Sequence, residues 1–180
     1  MKGSAVPYCI KPMETEAEIA GKAFVHYTAW LETYPDLMPR EYLERRSLEK
    51  CEALARSFPE NTLTALADGR VVGFLGYCPE ARDFVSLHPA SEITGLYVLR
   101  AHQGKGVGAA LLDRALELLP EKRVALFVLR GNENAVGFYL HKGFRFTDKD
   151  RILTLSTCTN GYWTQRFALH AKLVRATVFD

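Results

Sequence analysis

The sequence predicts an α/β fold of the α+β kind, a mixed and mostly antiparallel central sheet flanked by helices. Three observations predict it. Residues 92–119 pass from a strand-like run, through a glycine-rich turn, into a helical period. Residues 62–67 and 71–78 read as two strands turning at Asp68-Gly69, a hairpin dipeptide. Two helical stretches separate the first strand from this hairpin, and strand, helix, strand, helix and strands follow it.

The chain has 180 residues, enough for one domain with a proper core, and residues 1–180 are read as that single domain. Hydrophobic residues make up 48%, charged residues 24%, and the net charge is +2. This balance gives no sign of a nucleic-acid binder. The first twelve residues hold no apolar run suited to a signal or a membrane span, so no membrane partner and a cytoplasmic location are expected. Cys9, Cys51, Cys78 and Cys158 are widely spaced and form no metal-ligand pairs, so neither a metal nor a disulfide is expected.

In order, residues 5–12 read as a first strand ending near Pro12. A helix is expected over 14–31, with Ala20, Ala23, Phe24, Tyr27, Trp30 and Leu31 inward at helical spacing. Tyr34-Pro35-Asp36-Leu37-Met38-Pro39 breaks it. A second helix is expected over 40–57, with Leu43, Leu48, Cys51, Leu54 and Ala55 inward. After the hairpin, 92–98 is a strand, and a helix starts at Val107 with Val107, Leu111, Ala115 and Leu118 on one face. The apolar run 123–129 suits a central strand. A short helix over 135–142 ends at Gly143 as its C-cap, and residues 150–180 supply a closing β-hairpin of atypical sequence.

The turn Gln103-Gly104-Lys105-Gly106-Val107-Gly108 carries three glycines just before a helix. Free N–H groups and the positive end of the helix dipole make such a turn an anion site, suited to a pyrophosphate. A P-loop would need Lys after the second glycine, where Val107 stands, and a dinucleotide fingerprint would need a wider last gap. The turn and the strand Leu96-Tyr97-Val98 before it resemble motif A of the GNAT family of N-acetyltransferases, with Gln103, Gly106 and Gly108 in place. Asn132, Ala135, Phe138, Tyr139, Gly143 and Phe144 resemble its motif B, Asn-x-x-Ala-x-x-Phe-Tyr-x-x-x-Gly-Phe. The resemblance covers roughly residues 5–146.

The resemblance implies acetyl transfer from acetyl-CoA to a primary amine of a small molecule or a peptide. It implies that Leu96, Tyr97 and Val98 border the acetyl-pantetheine arm. Gly104, Lys105, Gly106, Val107, Gly108 and Ala109 would present backbone N–H groups to the pyrophosphate, and Asn132 and Ala135 would meet the cofactor from motif B. The amine must be neutral to attack, the developing oxyanion needs a donor, and the departing thiolate needs a proton. A strand N–H near Val98 and the Tyr139 phenol are the implied donors; a core aromatic is the plainer role for Tyr139. Glu92, at the start of the strand, is either the base or a solvated strand-end carboxylate. The strand before motif B, Val124-Ala125-Leu126-Phe127-Val128, has no carboxylate to take its place, and an already neutral amine needs no base. Trp30 and Tyr34 precede the loop that shapes the acceptor pocket in the family, and are otherwise core residues at helical spacing. A homodimer is among the states the family allows.

Two other readings stay open: an acetyl-CoA-binding module without catalysis, and a cysteine transpeptidase. The second arises because Thr154-Leu155-Ser156-Thr157-Cys158, with Arg166 downstream, resembles the active-site signature of a class B sortase. There Cys158 would be the nucleophile and Arg166 would stabilise the oxyanion. Only about 25 residues match, with no recognisable histidine region, so the segment is read as the closing hairpin.

Overall fold

The computed structural model describes residues 7–83, 85, 88–129 and 131–145, with the backbone of 153–154 and 168–169. The elements are β1 (Tyr8–Pro12), α1 (Glu16–Thr33), α2 (Arg40–Glu44), α3 (Leu48–Ser57), β2 (Thr62–Ala67), β3 (Arg70–Cys78), β4 (Ser91–Val98), α4 (Val107–Leu118), β5 (Val124–Leu126), α5 (Glu133–His141), β6 (Leu153–Thr154) and β7 (Ala168–Leu169). Strands β1 to β5 form one sheet in sequence order. β1 with β2 and β2 with β3 are antiparallel, and β4 with β5 is parallel. This is the mixed, helix-flanked sheet that the sequence predicts. The described residues divide into two compact units: those up to Tyr77 with Thr94–Leu119, and Cys78–Ile93 with those from Pro120 onward.

In the first unit, α1 starts with a capping box. The Thr15 hydroxyl accepts from the Glu18 N–H, and Glu18 Oε2 accepts from the Thr15 and Glu14 N–H groups. Glu18 is buried, and burial pushes its pKa up. The ammonium of Lys11 at 2.8 Å and the two backbone donors outweigh that and bring it down to about 2.

Helix α1 buries two faces rather than one. Ile19, Ala23 and Tyr27 pack on Leu48, Cys51 and Ala55 of α3. Val25 packs on Val71 and Phe74 of β3, with Leu66, Tyr97 and Leu99 around them. The single inward face expected from the sequence is therefore corrected. Phe24 is 50% and Leu31 43% exposed, and Ala20 is exposed, while Val25 and Ala29 are buried. A single-stripe count misses a helix wedged between a sheet and another helix.

The helix expected over 40–57 is broken into α2 and α3. Ser47 ends the continuity by taking the N-cap of α3, its hydroxyl accepting from the Lys50 N–H. Cys51 and Ala55 are buried as expected, whereas Leu54 faces solvent. The hairpin turns at Asp68 and Gly69, both at positive φ (49° and 73°), as a primed turn requires. Val107, Leu111, Leu112 and Ala115 of α4 are buried, each large side chain contributing about 1.5–3 kcal/mol; Leu118, expected inward, is 41% exposed.

In the second unit, β5 is a three-residue ladder in register with the start of β4, Ser91 opposite Val124 and Glu92 opposite Ala125. The apolar run beyond it leaves the ladder, although Val128 and Leu129 stay buried. The buried Ser91 hydroxyl donates to the Pro79 carbonyl at 2.6 Å, and Ala81, Val85, Ala90 and Ala125 cluster there. Helix α5 ends in a Schellman motif: Gly143 sits at φ 85°, its N–H reaches the Leu140 carbonyl, and the Phe144 N–H reaches the Tyr139 carbonyl. The expected C-cap role of Gly143 follows from that φ. β6 and β7 pair antiparallel as a separate two-stranded ladder. Cys158 and Arg166 lie outside the described residues; Cys9, Cys51 and Cys78 are free thiols.

Candidate active site

The glycine turn belongs to the first unit. After β4 the chain makes one turn of 3-10 helix, Arg100–His102, and enters α4 through Gly106. Gly106 is the N-cap of α4, at φ 85°, and no side chain caps it. Its carbonyl accepts from the Ala110 N–H. A Cβ on Gly106 would sit 3.1 Å from the Tyr8 hydroxyl, so β1 closes that side of the turn, whereas a Cβ on Gly104 would meet nothing. Gln103 Nε2 donates to the Val98 carbonyl at 2.9 Å and ties the turn back to β4. Gln103, Gly104, Lys105 and Gly106 are exposed, while Val107 anchors the helix in the core. An uncapped first turn with no side chain in the way fits a pyrophosphate.

Leu96, Tyr97 and Val98 are half-buried at the end of β4. Tyr97 lies in an aromatic cluster built mainly on α1. Its ring stacks on Phe74 at 5.3 Å between centroids and is tilted against His26 at 5.0 Å. Trp30 Nε1 donates to the Tyr97 hydroxyl at 3.2 Å. Burial pushes the Tyr97 phenol up, while the hydrogen bonds with Trp30 and Tyr34 oppose that. Trp30 also meets Tyr34 (4.5 Å) and Tyr42 (5.9 Å), and is itself buried. The structure thus brings Trp30, Tyr34 and Tyr97 together, and adds Tyr42, His26 and Arg46, which the sequence reading does not assign to a site. The Arg46 guanidinium lies 3.3 Å from the Trp30 ring centre. An Arg-Arg pair before a serine cap gives no hint of that contact.

In the second unit Glu92 is fully buried, not the solvated strand-end carboxylate that the sequence allows. Arg82 engages both of its oxygens: the backbone N–H and Nε reach Oε2 at 3.2 and 2.9 Å, and a terminal nitrogen reaches Oε1. Arg82 was not legible as its partner, because the two stand ten positions apart, outside any helix or strand spacing. Asn132 is the N-cap of α5; its Oδ1 accepts from the Ala135 N–H at 3.2 Å, leaving the side-chain NH2 for a ligand. Tyr139 is 7% exposed, edge-on to Phe138 (5.1 Å) and Phe144 (5.7 Å). Among the described residues no cluster of His, Cys, Asp and Glu could hold a metal, and no helix is long and apolar enough to cross a membrane.

Comparison with known proteins agrees with this layout. The Acetyltransferase (GNAT) family profile matches residues 25–144. An uncharacterised N-acetyltransferase of Archaeoglobus fulgidus is 30% identical over 120 residues, 64% of this chain and 82% of that protein. A crystal structure from Pyrococcus horikoshii superposes with a TM-score of 0.72 at 15% identity, covering 96% of this chain and 100% of that one. A putative acetyltransferase of Salmonella typhimurium, solved with its cofactor acetyl-CoA, superposes with a TM-score of 0.65 at 18% identity, covering 97% and 96%. These two structures share the fold, and with the family match over two thirds of its length the chain belongs to the GNAT acetyltransferase family.

Proposed function

We propose that the protein transfers an acetyl group from acetyl-CoA to a primary amine of a small molecule or a peptide. The observation that carries this is the uncapped α4 start behind Gly106, tied by Gln103 to the end of β4. The Salmonella structure, solved with acetyl-CoA, supports the choice of donor.

Acetyl-CoA supplies an activated acetyl thioester whose carbonyl carbon accepts the amine and whose sulfur leaves. Residues 104–109 would hold the pyrophosphate through backbone N–H groups, with the Lys105 ammonium as a further positive charge. The backbone at Val98 would orient the thioester carbonyl. On its own unit, Asn132 would offer its side-chain NH2 as a donor to the cofactor. The Tyr139 hydroxyl would hold a proton for the leaving sulfur. In this reading Glu92 is left out of the proton path, which its burial and its hold by Arg82 support. The acceptor enters neutral and loses its second proton to water after the new N–C bond forms. Thiol release from acetyl-CoA, followed across a panel of primary amines, tests this reading. Amine-dependent release is expected, and tight acetyl-CoA binding without release on any amine would leave only a binding module.

A further inference from the structure

Beside Trp30 and Tyr34 stands an arginine that no carboxylate among the described residues balances. Arg46, at the joint between α2 and α3, lies over Trp30 with its guanidinium carbon 3.3 Å from the ring centre. Among the described residues no carboxylate lies within ion-pair distance of it. Its closest polar neighbour is the Cys51 sulfur, 4.0 Å from a terminal nitrogen, a weak acceptor at that distance. Its Nε–H is buried and has no acceptor among the described residues. A buried guanidinium N–H without a partner is costly, and a charge over a ring face recovers only part of that cost.

The surroundings are neutral and aromatic. His26 is held neutral by its burial among Trp30, Phe74 and Tyr97. Tyr34 and Tyr42 flank the platform, and Tyr97 joins it to β4. A guanidinium held over a ring face offers its terminal N–H groups as a fork, the geometry that a carboxylate fits in bidentate fashion. Arg46 is half-buried as a residue, and with Nε buried the terminal nitrogens are the part of the fork left to a ligand.

The geometry points to an acceptor that carries a carboxylate as well as its amine, an amino acid or the C-terminus of a short peptide. Arg46 receives the carboxylate, and the rings of Tyr34 and Tyr42 cover the carbon skeleton. Trp30 positions Arg46 rather than lining the pocket, because it is itself buried beneath the guanidinium. This rests on the acetyl-transfer reading for what happens to the amine, but not for the recognition of the carboxylate.

The two parts are tested separately. N-acetylphenylalanine and N-acetylphenylalaninamide have no titrating amine, so calorimetric binding of the pair reads the carboxylate alone. The acid is expected to bind about tenfold or more tightly than the amide. Arg46→Gln should erase the preference, and Arg46→Lys, which keeps the charge but not the fork, should keep part of it. Equal binding of acid and amide, binding of neither, or a preference surviving Arg46→Gln would overturn the proposal. Circular dichroism of both variants identifies a variant that fails to fold, and the wild-type comparison stands without them. Thiol release with phenylalanine reports on transfer: carboxylate binding without release defeats the transfer reading and leaves Arg46 recognition standing.

Discussion

The Tyr139 carbonyl accepts from the Phe144 N–H in the Schellman cap of α5, and its ring packs between Phe138 and Phe144. Tyr139→Phe keeps all of that and removes only the oxygen. It is expected to lower kcat by about 10- to 100-fold with little change in acetyl-CoA affinity; steady-state kinetics and calorimetry decide, and unchanged kcat would remove the proton-donor role. Glu92 makes a second residue-scale prediction. With its carboxylate held by Arg82, the rising limb of kcat/KM with pH should follow the pKa of each acceptor amine. A limb fixed at one pH for acceptors of different basicity would restore a protein base. His26 makes a third. Burial, then the charges of Arg46 and Lys22, bring its pKa down to about 3. The unfolded chain takes up a proton near pH 6.5 that the fold refuses, so stability is present above that pH and lost as pH falls toward 3. Between pH 7 and pH 5 this amounts to about 1–2 kcal/mol. Glu18, depressed to about 2, acts only below its ordinary value of 4.5 and leaves that window clear. Urea unfolding of His26→Gln across this range should lose the slope that the wild type shows.

At the scale of elements, α4 and its entry turn were the most legible part of the sequence, because every signal there is local. Three glycines precede a helical period, and the structure starts the helix at Val107 as expected. Gly143 was legible for the same reason. Gly106→Leu should cost roughly 1–2 kcal/mol for forcing a side chain to φ 85°, and should also press on Tyr8. It should weaken acetyl-CoA binding more than it lowers the melting temperature accounts for; calorimetry at a temperature well below melting separates the two. Helix α1 was less legible. Its residues face two partners, and periodicity reports one face at a time, so Phe24 and Leu31 were turned inward while Val25 was missed. The break at Ser47 was written as a cap residue before Leu48, but the apolar spacing ran on across it.

At the scale of the whole molecule, the family and the order of strands and helices along the chain were legible because motifs A and B each fold locally and lie in order along the chain. The partners of the charged groups were not: Arg82 with Glu92 and Arg46 on Trp30 join residues by tertiary packing that no short pattern encodes. A ligand held by the native fold alone stabilises it by about 2.7 kcal/mol at one hundred times its dissociation constant. For a chain of this length, saturating acetyl-CoA should raise the melting temperature by roughly 5–11 °C. A thermal scan with and without the ligand, at a fixed protein concentration, measures this; no shift at millimolar ligand would count against the turn as its site. The two-faced packing of α1 has a consequence for how such an enzyme changes its acceptor over time. Trp30 serves the core and the platform together, so altering it alters stability and selectivity at once. Helix α2 buries no residue, and Tyr42 and Arg46 stand on it and just beyond it. Acceptor preference can therefore drift through that short joint while the folded scaffold stays under separate selection.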